Sequence, residues 1–293
     1  MTELPGDGVA VSPEWLEANL RSPGIRVVDV RGKVLPPGNT PRYRPDREAY
    51  DRSHVPGAVF VDWTRDIVDL TDPVPVQVAG PFEFAAKMGE LGIGDDTTVI
   101  AYDDYRHAFA GRLAWALRYH GHDAVAVLDG GWARWTAEGR PASAEIPRPG
   151  QATFTARSRP ALRRTAREVE AALGDEGVLL IDARPAEQYA GAVSAAARAG
   201  HIPGARNVPY PTLLDASGRF LPPDELARAF LGAGVDVTHL PREVVVYCNG
   251  GVTCTVPLAA LKMLGRDDVA VYDGSWNEWG NDDRLPLRSG SAP

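Results

Sequence analysis

The chain has two cysteines, Cys248 and Cys254. Cys248 stands between the run VVVY (244–247) and Asn249, Gly250, Gly251, Val252 and Thr253, after which helix-forming residues resume. A thiol in that place suits nucleophilic chemistry. Gly250 and Gly251 let the backbone curl tightly, so that successive N–H groups converge on one point. A helix expected to begin near residues 253–256 adds its positive end. Together these favour an anion on sulfur, so the Cys248 thiol is expected below its ordinary pKa and ready to attack. A cysteine kept for packing needs no loop stripped of side chains, which makes packing the weaker reading for Cys248. For Cys254, a small residue at the start of the helix, packing is the expected role, with disulfide trapping of Cys248 under oxidation as the alternative. No metal site is expected, because C-x5-C with no neighbouring histidine does not close a tetrahedron.

Such a loop needs a scaffold, and the composition bounds it. At 293 residues, 44% hydrophobic and 24% charged, the chain reads as a soluble globular protein of two ordinary domains or one large one. A net charge of −8 argues against a broad nucleic-acid surface. No apolar run approaches the roughly 20 residues of a membrane helix. The opening MTELPGDGVAVSPEWLEANL has neither a basic nor an apolar stretch, so no signal peptide is expected. Two cysteines are no disulfide framework. These readings point to a cytoplasmic protein with no nucleic-acid and no membrane partner.

The chain is written twice. VVDVRG (27–32) returns as LIDARP (180–185), SHVPGAVFVDW (53–63) as GHIPGARNVPY (200–210), TVIAYDD (98–104) as VVVYCNG (244–250), and VAVLDGGWARW (125–135) as VAVYDGSWNEW (269–279). The order never changes, as expected of a duplicated structural unit. Each half reads as α/β. Short β-branched runs at 26–30, 98–102 and 124–128 look like strands buried on both faces, with helical patterns between them. That alternation predicts a mainly parallel sheet with helices on both faces. The segment 141–160, rich in Pro, Ala and Ser, is the expected linker between domains at 1–140 and 161–293. What both halves share builds the fold. His54 and His201, in the same H-[VI]-P-G-A turn, read as loop anchors, and Asp29/Arg31 and Asp182/Arg184 as a paired strand-end device. The tryptophans after the D-G turns read as packing.

What differs between the halves is where function is expected. Cys248 is matched by Asp103, at the carboxyl end of a strand where open parallel sheets place their sites. The first-half loop, DYRHAFAG, lacks paired glycines and is expected not to form the same amide cradle. Asp103, Asp104, Arg106, His107 and Arg112 are candidates there by position only.

The duplicated units, the H-[VI]-P-G-A turns, Asp in place of Cys in the first loop, the C-x-x-G-V-T loop and D-G-S-W near the end resemble the tandem-domain rhodanese sulfurtransferases. The resemblance spans nearly the whole chain. It implies two rhodanese-like domains, the first without a catalytic cysteine. It also implies a ping-pong reaction in which Cys248 takes the outer sulfur of a small-molecule donor as a persulfide and yields it to cyanide or a thiol. The loop amides of Asn249, Gly250, Gly251, Val252 and Thr253 would hold that persulfide, and no cofactor is implied. Thiosulfate-preferring members carry two cations after the cysteine, whereas the uncharged Asn249 and Gly250 lean toward 3-mercaptopyruvate. Gln188 stands where the family carries an arginine for the substrate carboxylate. Arg184 and Arg198 are the cations that the sequence offers nearby, and both donors stay open. A cysteine phosphatase or arsenate reductase of related fold needs C-x5-R, and that position is Cys254 here. A non-catalytic rhodanese-like binding or regulatory protein would have lost the cysteine.

Overall fold

The structure, a computed structural model, describes residues 2–36, 39 and 41–293. They fall into two compact units, one of residues 1–70, 78–159 and 216–219, the other of residues 71–77, 160–215 and 220–293.

The first unit runs β1 (Ala10–Val11), α1 (Pro13–Asn19), β2 (Ile25–Asp29), β3 (Gly32–Val34), β4 (Tyr43–Pro45), α2 (Arg47–Arg52), β5 (Val59–Phe60), α3 (Pro81–Glu90), β6 (Thr98–Tyr102), α4 (Ala108–Tyr119), β7 (Val125–Leu128) and α5 (Gly131–Ala137). Its sheet has the order β1-β7-β6-β2-β5 with every neighbouring pair parallel. All five residues of β6 are buried, as a central strand covered on both faces requires. The excursion after β2 forms a small antiparallel pair, β3 with β4. Residues 141–159 run along this unit, with Ser143 paired to His54 and Phe154 buried.

The second unit runs β8 (Arg163–Arg164), α6 (Ala166–Ala171), β9 (Val178–Asp182), α7 (Ala186–Tyr189), β10 (Arg206–Asn207), α8 (Pro223–Gly232), β11 (Glu243–Tyr247), α9 (Thr255–Met263), β12 (Ala270–Tyr272) and α10 (Ser275–Trp279). Its sheet, β8-β12-β11-β9-β10, is again all parallel and repeats the first in order. The duplicated sequence therefore builds two parallel sheets flanked by helices, as expected.

The order puts the switch point between β9 and β11. From β9 the chain turns outward to β10, and from β11 it turns the other way to β12. Loops leaving adjacent strands in opposite directions open a crevice at their carboxyl ends, the usual ligand position in such sheets. Tyr247 pairs with Asp182 at that edge, and the next residue is Cys248.

Candidate active site

The strand ends around Cys248 are held by a buried ion pair. Arg184 donates to both carboxylate oxygens of Asp182, at 2.5–3.1 Å, and to the carbonyl of Gly200, just before His201. Its guanidinium also lies 4.4 Å from the Trp276 ring. Arg31 makes the same set in the first unit, with Asp29, the Ser53 carbonyl and Trp132. His201 and His54 each bond a backbone carbonyl through Nδ1 and stack on a tyrosine, so both serve as turn anchors. The Tyr247 hydroxyl accepts from the Ile202 amide, pinning the residue before the cysteine.

From that frame the loop 248–254 turns back toward α9. Gly251 has φ +68°, where a side chain would be strained, while Gly250 does not need the left-handed region. The N-terminal end of α10 grips the loop from the other side. The Trp276 amide donates to the Cys248 carbonyl (3.0 Å) and the Asn277 amide to the Asn249 carbonyl (2.7 Å). Cys248 is 1% exposed. Burial alone would raise its thiol pKa. Hydrogen bonds from the Cys254 side chain, the Thr253 hydroxyl and the amides of Cys254 and Gly250 outweigh burial and lower it from 9 to about 5. A buried thiolate held by such donors, with the Arg184 charge nearby, is a nucleophile at neutral pH.

Among the expected loop residues, Gly250 and Thr253 supply donors to sulfur, Val252 is buried, and Asn249 faces elsewhere. Asn249 donates through Nδ2 to Oε1 of Gln188, at 2.9 Å. The two candidates are thus brought together as a neutral amide pair between α7 and the loop. Arg184 and Arg198 both make bonds within the fold. Arg184 is committed to Asp182 and Gly200. Arg198 donates to the carbonyls of Leu285, Trp279 and Asp282, tying the 194–200 segment to the C-terminal stretch.

Two site residues escaped the sequence reading. Cys254 is buried as expected, at the N-cap position of α9, and also donates to the Cys248 sulfur by both thiol and amide. Ser275, expected only as part of a turn before a packing tryptophan, has its hydroxyl against the loop amides of Cys248 and Gly251. The signal for Ser275 lay in the repeat, where DGG in the first half becomes DGS in the second.

The first-unit loop overturns one expectation. It does form an amide cradle. Oδ1 of Asp103 accepts from the amides of Tyr105 and His107, and Oδ2 from those of Phe109 and Ala110, at 2.8–3.0 Å. Arg106 and His107 take the left-handed conformation that the expectation reserved for glycine, at φ +55° and +65°. The four carboxylate bonds repay that strain. Asp103, Asp104, Arg106 and His107 line a cavity of about 190 Å³ in this unit, while Arg112 is buried against the Trp115 ring.

Comparison with known proteins decides the family. The rhodanese-like domain model matches residues 12–138 and again 165–282. The chain belongs to the rhodanese family. This rhodanese is 36% identical over 280 residues to the thiosulfate sulfurtransferase of Rattus norvegicus, covering 92% of this chain and 91% of that one. It is 33% identical over 295 residues to the sulfur carrier protein TtuD of Thermus thermophilus, covering 96% and 97%. Among solved structures it is similar to SseA from Escherichia coli, a 3-mercaptopyruvate sulfurtransferase, at TM-score 0.81 and 34% identity, covering 91% and 98%. It is a sulfurtransferase built of tandem rhodanese domains, which sets aside the phosphatase and the non-catalytic readings. Among the described residues no helix is long and apolar enough to cross a membrane.

Proposed function

We propose that this sulfurtransferase works through a persulfide on Cys248, with domains at 1–140 and 161–293 and the nucleophile in the second alone. The observation that carries the reading is the buried Cys248 thiol held at about 5 by its own loop. The thiolate attacks the transferable sulfur of the donor, the outer sulfur of thiosulfate or the thiol sulfur of 3-mercaptopyruvate. With thiosulfate the S–S bond breaks and sulfite leaves with the electron pair; with 3-mercaptopyruvate the C–S bond breaks and the carbon takes a proton to give pyruvate. The new persulfide is itself an anion and meets the same converging donors. Cyanide or a thiolate then attacks its outer sulfur, and the cysteine leaves as thiolate, ready for the next donor. No cofactor enters these steps.

The neutral pair Gln188–Asn249, with Arg184 and Arg198 committed elsewhere, supports 3-mercaptopyruvate over thiosulfate as donor. A dianion gains most from full charges, and here it meets amide dipoles. The loop's anion cradle supports small-molecule partners, the net charge of −8 weighs against nucleic acid, and two free cysteines fit a reducing, cytoplasmic setting.

Cys248→Ser tests the nucleophile. Cyanide-dependent thiocyanate release should fall to background, and the intact mass after exposure to donor should lack the one extra sulfur that the wild type gains. Turnover above background in that variant would overturn the reading.

A further inference from the structure

Ser275 breaks the internal repeat at a position where the first unit has Gly131. Both residues sit in the left-handed region, at φ +52° and +57°. Gly131 explains itself: a Cβ there would lie 2.3 Å from the Asp103 carbonyl oxygen, so the first loop rests directly on the start of α5 and leaves no room for a side chain. Ser275 is the reverse case. A non-glycine residue is retained in a conformation that glycine would adopt without strain, and its side chain is fully buried against the loop.

The hydroxyl is saturated. It accepts from the Cys248 amide (3.2 Å) and the Gly251 amide (3.0 Å) and donates to the Tyr272 carbonyl (2.8 Å). One proton and two lone pairs are then in use, so Ser275 has nothing left to offer sulfur or substrate. Its effect must pass through the loop backbone. We infer that Ser275 is a positioning residue for sulfur transfer: by taking the first and fourth amides of the loop it ties the turn to the start of α10 and leaves the remaining donors aimed at the Cys248 sulfur.

The two units then carry matched solutions. Where glycine lets the loop settle onto the helix, the longer arm of an aspartate reaches the amides. Where the serine hydroxyl takes two loop amides, the short side chain of a cysteine is met by the Gly250 and Cys254 amides. Trp132 and Trp276, at equivalent places, bond the Asp103 and Cys248 carbonyls at 2.9 and 3.0 Å, so the carbonyl side of the grip is common to both units. The hydroxyl is the added part.

The inference rests on Cys248 being the nucleophile, and the test separates the two. Ser275→Gly, Ser275→Ala and Cys248→Ser are compared with wild type by thermal unfolding, by turnover, and by iodoacetamide alkylation of Cys248 against pH read from peptide mass. Ser275→Gly relieves the backbone strain but loses the acceptor of the same two amides, so it should fold with a Tm at or below wild type and above that of Ser275→Ala. Its alkylation midpoint should rise by about one pH unit or more, a tenfold loss of thiolate at acidic pH. Its kcat should fall roughly tenfold or more while the donor KM stays within about twofold. Ser275→Ala keeps the strain and orphans both amides, so it should show the same rise in midpoint with a lower Tm. A folded Ser275→Gly with wild-type midpoint and kcat, beside an inactive Cys248→Ser, overturns the positioning role alone. An active Cys248→Ser overturns the nucleophile reading instead. A Ser275→Gly chain that does not fold also overturns the inference, because the hydroxyl would then be needed for the fold itself.

Discussion

Cys248 shows how a buried atom can be made more acidic by its own backbone. Desolvation disfavours a thiolate, and here hydrogen bonds from the Cys254 side chain, the Thr253 hydroxyl and two amides reverse it, with the buried Arg184 charge adding to them. The pH dependence follows. The folded thiol titrates at about 5, below an unfolded value of about 8.5. Alkylation and donor turnover should therefore stay flat from neutral pH down and fall through an acid limb centred near 5. The sign for stability is that of a depressed pKa: the contribution is fully present above the unfolded value and is lost as pH falls toward 5. An alkylation midpoint near 8 would show that the loop does not hold the thiolate. The glycine pair, by contrast, was only half required, since Gly251 alone needs a positive φ.

At the scale of elements, the site belongs to no single one. The nucleophile follows β11, its grip comes from the N-terminal end of α10, and its flank from α7 through the Gln188–Asn249 contact. The switch point between β9 and β11 explains why α7 can meet that loop at all. It also makes Gln188 the place to alter charge without touching the cradle. Gln188→Arg removes the amide pair and sets a cation beside the loop. Relative to 3-mercaptopyruvate, kcat/KM for thiosulfate should then rise by about tenfold, the effect of one charge-assisted contact of about 1.4 kcal/mol or more. The ratio from steady-state turnover with both donors decides it. An unchanged ratio would place donor selection outside the α7 flank.

For the molecule as a whole, duplication has left two anion cradles on the same sheet order, one holding a thiol and the other its own carboxylate. The carboxylate cradle of Asp103 is a structural part. Asp103→Asn keeps the shape but replaces one acceptor oxygen with an NH2 group that faces two amides. Leaving such buried donors unsatisfied costs about 1–3 kcal/mol, so the denaturant midpoint should move down by a corresponding amount. A midpoint equal to wild type would mean that water reaches those amides. The strand-end pairs Asp29/Arg31 and Asp182/Arg184 do the same work in both units, each fastening the carbonyl before the repeated turn of His54 or His201.

Several features of this protein were legible in the chain alone, and they are those that depend on local pattern. The β-branched runs and the helical spacing between them specify parallel α/β units, because strand and helix periods are written within a few residues of one another. The repeat specifies that there are two, and the comparison of halves isolates Cys248 against Asp103. What only the tertiary structure decided are the partners of side chains whose contacts lie far along the chain. Arg198 reads as a free cation until the stretch around residues 279–285 folds back to give it three carbonyls. Gln188 and Asn249 are 61 positions apart and meet because β9 and β11 are neighbours. The Asp103 cradle forms because carboxylate bonds hold Arg106 and His107 in a conformation that local propensity disfavours. Ser275 lies 27 positions beyond the cysteine it serves, and only the pairing of β11 with β12 brings its hydroxyl under the loop. Local sequence sets which backbone is built; long-range packing sets which polar atoms that backbone then satisfies.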